Sequence, residues 1–179
     1  MKIHLNKHIM SIVGGAALLL SACSDGDTVF DEIIDNETRG AVLRTVEILS
    51  NEISVNSSDG SLQGGSFGVI LEEQDQEGGD LLAFVEVYAS FIDNTDEGTD
   101  NSKPEIRVED IEASEFSTGE FGYPRVEYNI TAEELLGILG LSSTQISGGD
   151  QFRVRFELVL TDGRRYSFDD NTGTLTGSF

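Results

Sequence analysis

The sequence of 179 residues contains no tryptophan, one cysteine, two histidines and two methionines. Both histidines and both methionines lie within the first ten residues, so cleavage of the N-terminus removes them all. The mature chain then lacks the side chains for serine–histidine or cysteine–histidine catalysis, for a zinc site of His and Cys, and for haem ligation. With a single thiol it also lacks an internal disulfide. These absences exclude the catalytic, metal-binding and redox sites that depend on histidine or on paired cysteines.

Basic residues are scarce as well. The chain has 11 Lys+Arg against 33 Asp+Glu, which gives a formal net charge of −22. Residues 1–22 contain two lysines and no acid, so their removal makes the charge more negative still. Such a surface repels nucleic acid and anionic lipid head groups, and we expect no nucleic-acid partner.

The first 22 residues have the pattern of a secretory signal peptide. Lys2 and Lys7 precede an apolar run over residues 9–20, and small residues then lead into Cys23. The apolar run is shorter than the roughly 20 residues that span a bilayer as a helix. We therefore predict that residues 1–22 are removed.

The segment Leu20-Ser21-Ala22-Cys23 resembles the lipobox of bacterial lipoproteins. The resemblance implies that Cys23 becomes diacylated on its sulfur and acylated on its nitrogen, and several acyl chains make a stable membrane anchor. The alternative is an ordinary secretory signal followed by an unmodified cysteine. Residues 23–39 are then interpreted as the lipidated cysteine and an acidic tether.

Residues 24–27, Ser-Asp-Gly-Asp, partly match the surface-export signal of Bacteroidota lipoproteins, although Gly26 interrupts the acidic run. The resemblance implies a lipid-anchored protein of the outer membrane that is exposed at the cell surface. The alternatives are a periplasm-facing orientation and a solvated tether whose acids carry no signal.

Residues 40–179 are predicted to form one strand-rich domain. The clearest strand covers residues 151–161, where large apolar side chains alternate with Arg, Glu and Thr, and Asp162-Gly163 then signals a hairpin. Residues 50–65 are predicted to be rich in turns, with a short edge strand at Ile53 and Val55. Further strands are predicted at 41–49, 66–72, 81–92, 105–116 and 123–130.

One short helix is predicted after the strand that ends at Ile130. Thr131 and Glu134 have the spacing of a capping box, and Gly140 is placed to end the helix. Its apolar stripe is predicted to be Leu135, Leu136, Ile138 and Leu139.

About seven strands separated by turns, with little helix, predict an all-β fold, an antiparallel β-sandwich. Residues 40–45, 131–136 and 152–164 together are similar to immunoglobulin-like lipoproteins of Bacteroidota, including those encoded beside nutrient-uptake transporters. The resemblance implies an immunoglobulin-like domain and a role in the capture of glycan or another nutrient. It also implies a strand after the turn at 169–173, so residues 174–179 either form that strand or the sequence is a fragment.

One acidic loop has the composition of a calcium site. Asp93, Asp96, Glu97 and Asp100 place four carboxylates within eight residues, and calcium takes six to eight oxygen ligands. Glu105, however, is one position out of register for the final bidentate ligand of an EF-hand. We favour the alternative, a solvated run of charges, and expect no other cofactor.

The aromatic residues Phe121, Tyr123 and Tyr128 are candidates for a ligand-binding platform, because sugars stack on aromatic rings. The alternative is a hairpin whose aromatic side chains close one end of the sandwich.

The arginines fall into two groups. Arg153 and Arg155 are predicted on the outward face of the clearest strand, and Arg164 and Arg165 follow its turn. Pairing with acids on neighbouring strands accounts for them. The alternative is a docking patch for another protein.

The expected function is therefore that of a non-enzymatic, surface-anchored lipoprotein. With 33 acids a close pair of carboxylates is expected by chance, so such a pair alone does not indicate glycoside hydrolysis. We expect a binding or accessory protein that works with an outer-membrane transporter in glycan or nutrient uptake. The alternative is a structural or interaction subunit of an envelope assembly without a small-molecule ligand.

Overall fold

The computed structural model describes residues 40–56, 62–95 and 98–168, apart from the side chain of Val55. The predicted signal peptide, Cys23, the tether, the turn at 169–173 and residues 174–179 lie outside the described residues. All described residues belong to one compact unit, Arg39–Phe179. Its strands and its helix are β1 (Val42–Val55), β2 (Leu62–Gln74), β3 (Leu82–Ile92), β4 (Lys103–Glu112), β5 (Ser117–Thr118), β6 (Pro124–Thr131), α1 (Ala132–Leu139), β7 (Gln151–Leu160) and β8 (Arg165–Tyr166).

The strands form two four-stranded sheets. The order is β1-β2-β6-β5 in the first sheet and β4-β3-β7-β8 in the second, and every neighbouring pair is antiparallel. The prediction of an all-β, antiparallel sandwich with one short helix is confirmed. Its immunoglobulin-like type stays a prediction.

The core lies between the two sheets. Val69 and Leu71 of β2 face Val85 and Val87 of β3, and all four side chains are at most 2% exposed. Each such side chain contributes roughly 1.5–3 kcal/mol on burial. Sheet-to-sheet packing is therefore the main source of stability.

An aromatic cluster joins the sheets around Phe156 of β7. Its ring centroid lies 6.3 Å from that of Phe67 on β2, in a stacked arrangement. It lies 5.4 Å from that of Tyr128 on β6, with the rings at 86°. Both arrangements are among those that aromatic quadrupoles favour.

β1 is longer than predicted. The strand predicted at Ile53 and Val55 is confirmed, but it is part of β1, since residues 50–55 continue this strand instead of forming a turn. Ile53 pairs with Gly65 and Val55 with Leu62 on β2. Three register shifts interrupt the pairing of β1 with β2. These irregularities, together with the Ser and Asn residues, explain why the sequence pattern favoured a turn here.

On β3 the alternation of residues 81–92 places Val85, Val87, Ala89 and Phe91 on one face, and all four are buried. On β7, Leu158 and Leu160 of the large apolar set are buried, but Val159 on the opposite face is buried as well. The pairing of β3 with β7 shifts between Leu82 and Phe84, and Leu82 is buried there. On β4, Ile106 is the cross-strand partner of buried Ala89 and so lies on the core face, as the alternation predicts. Its side chain nevertheless remains 37% exposed, because β4 is an edge strand among the described residues.

Helix α1 begins and ends where the sequence predicted. The Thr131 hydroxyl accepts a hydrogen bond from the Glu134 amide at 3.2 Å, and Glu134 Oε2 accepts one from the Thr131 amide at 2.8 Å. Gly140 ends the helix in the left-handed conformation, with φ 63°. Leu135 and Leu139 are buried, whereas Ile138 from the predicted stripe is 38% exposed.

Candidate binding groove

A groove of about 720 Å³ opens between the edge of the first sheet and the last two strands of the second. We call it the β1–β8 groove. Its lining residues are Ala41 to Ile48 of the β1 segment, Leu71 of β2, Val154, Arg155 and Phe156 of β7, and Tyr166, Ser167 and Phe168 at β8 and just after it.

The groove exists because two sheet edges, β1 and the short strand β8, border it. Among the described residues, β1 is the edge of its sheet, and β8 is an edge strand of only two residues. At one end the two edges meet, since a Cβ on Gly40 would lie 3.7 Å from the Tyr166 ring. Because so short a strand covers little of the opening, the apolar inner surface along β1 stays accessible.

The lining combines apolar surface with aromatic rings. Phe168 is 71% exposed and Ile48 is 58% exposed, so both present apolar area to solvent. Phe156 and Tyr166 contribute two further rings, and the Tyr166 hydroxyl accepts a hydrogen bond from Arg164 Nη1 at 3.0 Å. A concave, mostly apolar site of a few hundred Å³ with a few polar groups is typical of small-ligand binding sites.

The sequence did not predict this groove. Tyr166 and Phe168 are two residues apart after Asp162-Gly163, a spacing that favours one face of a strand, but their exposure depends on how little of the sheet edge β8 covers. The only available signal was two aromatic side chains spaced by two residues in a short final strand.

The predicted aromatic platform is not brought together. Phe121 is 67% exposed and lies 5.9 Å from the guanidinium carbon of Arg125, while Tyr123 is half-buried. Tyr128 is only 6% exposed, and its hydroxyl bonds to Glu109 at 3.1 Å. Burial raises the pKa of the Tyr128 phenol, and the Glu109 carboxylate adds to the shift. Tyr128 therefore belongs to the core and does not share a surface with Phe121.

These aromatics lie at the far side of the first sheet from the groove. Phe121 and Tyr123 belong to the connection between β5 and β6, and β5 is the sheet edge opposite β1. Any contact of a ligand with Phe121 is therefore separate from contact with the β1–β8 groove.

Of the predicted calcium ligands, Asp93 and Asp100 are described, while Asp96 and Glu97 lie outside the described residues. Asp93 Oδ1 accepts the Thr95 amide at 3.0 Å, and Asp93 Oδ2 accepts the Asn101 amide at 2.9 Å. These hydrogen bonds lower the pKa of Asp93, the Asn101 amide contributing most. The Ser102 hydroxyl and amide lower the pKa of Asp100 in the same way.

Both carboxylates therefore already serve to hold the loop. Among residues 40–56, 62–95 and 98–168 there is no group of three or more His, Cys, Asp or Glu side chains placed to hold a metal ion.

Of the four arginines for which pairing across strands was predicted, Arg155 and Arg165 bond to acids on neighbouring strands, whereas Arg153 is exposed and forms no ion pair among the described residues. Arg155 bonds to Glu105 on β4 at 2.7 Å and to Glu157 at 2.9 Å, and Arg165 bonds to Glu157 and to Glu86. Arg155 lowers the pKa of both Glu105 and Glu157. Arg164 instead pairs with Asp162 in its own turn, at 2.7 Å.

A triad of one buried carboxylate and two arginines crosses the first sheet. The Glu72 side chain is completely buried and accepts hydrogen bonds from Arg44 on β1 and Arg125 on β6, its direct cross-strand partners. Burial alone would raise the pKa of Glu72, but hydrogen bonds from Arg125, Gln74 and Arg44 outweigh it and lower the pKa. The sequence offered no signal for this triad beyond one acid and two distant arginines.

Glu73, unlike Glu72, is buried without a hydrogen-bond partner. It is completely buried, and neither carboxyl oxygen has a hydrogen-bond partner. Burial raises the pKa of this carboxyl to about 8, and the charge of Asp75 adds to the shift. A strongly shifted carboxyl is sometimes catalytic. This one is sealed from solvent, so it does not reach a substrate in this conformation.

No protein-family model, no curated protein and no solved structure matches the chain. In the part of the chain that the structure describes, no helix is long and apolar enough to cross a membrane.

Proposed function

We propose that this protein is a non-enzymatic, lipid-anchored binding or accessory protein of the outer membrane, and that the β1–β8 groove is its ligand site. The groove is the observation that carries the proposal. Among the described residues it is a concave surface where apolar area and aromatic rings are open to solvent together.

The chemistry of the lining favours a ligand with an apolar or ring-shaped face. Phe168 and Tyr166 offer ring faces on one wall, and Leu43 and Ile48 offer aliphatic surface on the other. Sugar rings and other cyclic nutrients stack on such surfaces through their C–H groups. A volume of about 720 Å³ lies within the range of small-ligand sites.

The charge of the groove disfavours an anionic ligand, since the remaining charged residue of its lining, Glu47, is an exposed carboxylate. The guanidinium groups of Arg44 and Arg155 at its wall are already paired with carboxylates. Neither therefore leaves an unmatched positive charge for an anionic ligand. A neutral glycan fits this surface better than a phosphate or a nucleotide.

Membrane attachment and cell-surface location rest on the sequence of residues 1–27 and its resemblance to the lipobox and to the surface-export signal. A lipid anchor on Cys23 places the domain beside outer-membrane transporters, which is where a nutrient-binding accessory protein works. The proposal includes such a transporter as a partner.

A second candidate function rests on the edge of the first sheet. In the described residues β1 pairs only with β2, and its outer edge is 14 residues long with Ile48 and Leu49 exposed. Edge strands of this kind pair with strands of other proteins. This favours the alternative of an interaction subunit in an envelope assembly without a small ligand.

Purification of the full-length, lipidated protein from gently solubilised outer membranes tests the partner half of the proposal. Mass spectrometry should recover a transporter barrel in stoichiometric amount, and the variant Phe168→Ala should still co-purify with it. If the protein co-purifies with assembly machinery instead of a transporter, the result would favour the second candidate function, an interaction subunit of an envelope assembly.

A further inference from the structure

The connection between β2 and β3 carries the chain from one sheet to the other, and a single carboxylate organises it. Asp75 Oδ1 accepts the amides of Glu77 at 2.7 Å and Gly79 at 2.8 Å, and Asp75 Oδ2 accepts the amide of Leu81 at 2.9 Å. The Leu81 carbonyl in turn accepts the Thr161 amide at 2.8 Å. This turn, residues 75–81, therefore depends on the position of one side chain.

The turn closes over the Glu73 carboxyl. A Cβ on Gly79 would lie 3.3 Å from Glu73 Oε2 and 2.2 Å from Pro124 Cδ, so the Gly79 backbone packs directly onto both residues. On the other side, Leu43 of β1 is the cross-strand neighbour of Glu73. The carboxyl is thus enclosed by β1, β6 and the turn.

No donor reaches the Glu73 oxygens. Gly79 brings the two carboxyl groups together, because its amide bonds to Asp75 Oδ1 at 2.8 Å and its Cβ position lies 3.3 Å from Glu73 Oε2. Two ionised carboxylates packed around one glycine repel each other and leave both Glu73 oxygens without a partner. A single proton between them turns the contact into a hydrogen bond in which Glu73 donates and Asp75 accepts. The unpartnered oxygens are therefore accounted for by a proton.

The charged groups on the surrounding elements do not compensate Glu73. Arg44 of β1 and Arg125 of β6 both bond to Glu72. Glu72 and Glu73 are consecutive in a strand and point to opposite faces, so these arginines lie on the other side of the sheet. Glu77 and Asp80 of the turn are exposed. Asp75 is the charged side chain that acts on Glu73, and it has the same sign.

We propose that Glu73 and Asp75 share one proton in the folded protein, and that loss of this proton releases the turn at residues 75–81. The pair is thus a proton-controlled latch on the connection between the two sheets. This inference does not depend on the ligand of the β1–β8 groove.

The direction of the pH dependence follows from the two states of the latch. With the turn closed, burial and Asp75 hold the pKa of Glu73 at about 8, whereas in an open, solvated turn it returns towards 4.5. Between these values the closed state binds a proton that the open state lacks. The opening equilibrium constant therefore rises about tenfold per pH unit between roughly pH 5 and pH 8, and is level above that range.

Hydrogen exchange of the full chain measures this opening directly. The amides of Gly79 and Leu81, which bond to Asp75, report the turn, once their rates are corrected for intrinsic base catalysis. The variant Glu73→Gln keeps the volume and an N–H donor towards Asp75 but does not titrate, so its opening constant should be independent of pH. Glu77→Gln, in the same turn but exposed, should keep the tenfold slope of the wild type.

An equal slope in the wild type and in Glu73→Gln would overturn the proposal, as would a flat wild-type profile. A second measurement needs no variant. The side-chain carboxyl carbon of Glu73, followed by carbon-detected NMR, should titrate near pH 8. A Glu73 midpoint below pH 6 would also overturn the proposal.

Discussion

Arg155 of β7 lies over the ring of Tyr88 of β3, with its guanidinium carbon 4.1 Å from the ring centroid. The Tyr88 hydroxyl donates to Glu86 at 2.6 Å, and Glu86 also bonds to Arg165 of β8 and Arg107 of β4. Arg155 and Tyr88, together with Glu86, Arg165 and Arg107, thus form a network of charged groups across all four strands of the second sheet. The network uses the few cations of a very acidic chain to hold its own strands together.

The Arg155 contact predicts that lysine is a poor replacement. A lysine has no planar guanidinium group, so it cannot bond to both Glu105 and Glu157 while it stacks on the Tyr88 ring. We expect Arg155→Lys to lower the free energy of unfolding by about 1 kcal/mol, a modest value because the site is partly exposed. Urea denaturation measures it. Arg153→Lys, two residues earlier on the same face and exposed, is the matched control and should change stability little; equal losses would contradict the network.

Two adjacent glycines predict a sharp contrast. Gly79 has φ 101°, and a Cβ there would lie 2.2 Å from Pro124 Cδ, whereas Gly78 has φ 74° and open space around its Cβ position. Gly79→Ala combines a clash with backbone strain and should cost about 2–4 kcal/mol. Gly78→Ala carries the backbone strain alone and should cost about 1 kcal/mol. Thermal or urea unfolding of the two variants tests the difference, and an equal cost would contradict the close packing of the turn.

The Glu72 triad predicts a loss of stability that disappears in acid. Glu72→Gln should cost about 2–3 kcal/mol at pH 7, because Arg44 and Arg125 lose their shared charged partner. The hydrogen bonds hold the folded pKa of Glu72 below 4.5, so its contribution is fully present above the unfolded pKa. It is lost as pH falls through the folded pKa. Urea unfolding at several pH values should show the variant approaching the wild type below about pH 4.5, and a constant difference would contradict the charge-based explanation.

The lipid anchor predicts a change of compartment. Cys23→Ala removes the acylated side chain, so the protein should leave the membrane fraction and appear in soluble form when cells are fractionated. A nearby serine variant, Ser24→Ala, is the matched control and should remain in the membrane. Unchanged retention of Cys23→Ala would contradict the anchor.

The sequence predicted the strands and the helix better than it predicted which strands lie at the edges of the sheets. The alternation in residues 151–161 predicted β7, and the capping box at Thr131 predicted α1, because both signals are local and strong. β1 was predicted too short, since its pairing with β2 survives three register shifts that no local pattern shows. The alternation of β4 correctly places Ile106 on the face of buried Ala89 but does not predict its 37% exposure, because the sequence does not reveal that β4 is an edge strand.

The candidate site depends on such edges, which explains why it was missed. Phe168 and Ile48 became candidates only when the structure showed β8 to be two residues long beside the edge of β1. Tyr128 failed as a platform residue because its strand turns that ring inward onto Phe156. Glu73, likewise, is one of 33 acids in the sequence and becomes distinctive only through its burial.

The central claim is that the β1–β8 groove binds a small neutral ligand. Isothermal titration calorimetry of residues 24–179 against a panel of neutral oligosaccharides tests it most directly, with Phe168→Ala as the groove variant and Phe121→Ala as the control at the opposite sheet edge. We predict saturable binding of at least one oligosaccharide, a loss of affinity of tenfold or more in Phe168→Ala, and no change in Phe121→Ala. Binding to none of the panel, or binding lost only in Phe121→Ala, would contradict the account.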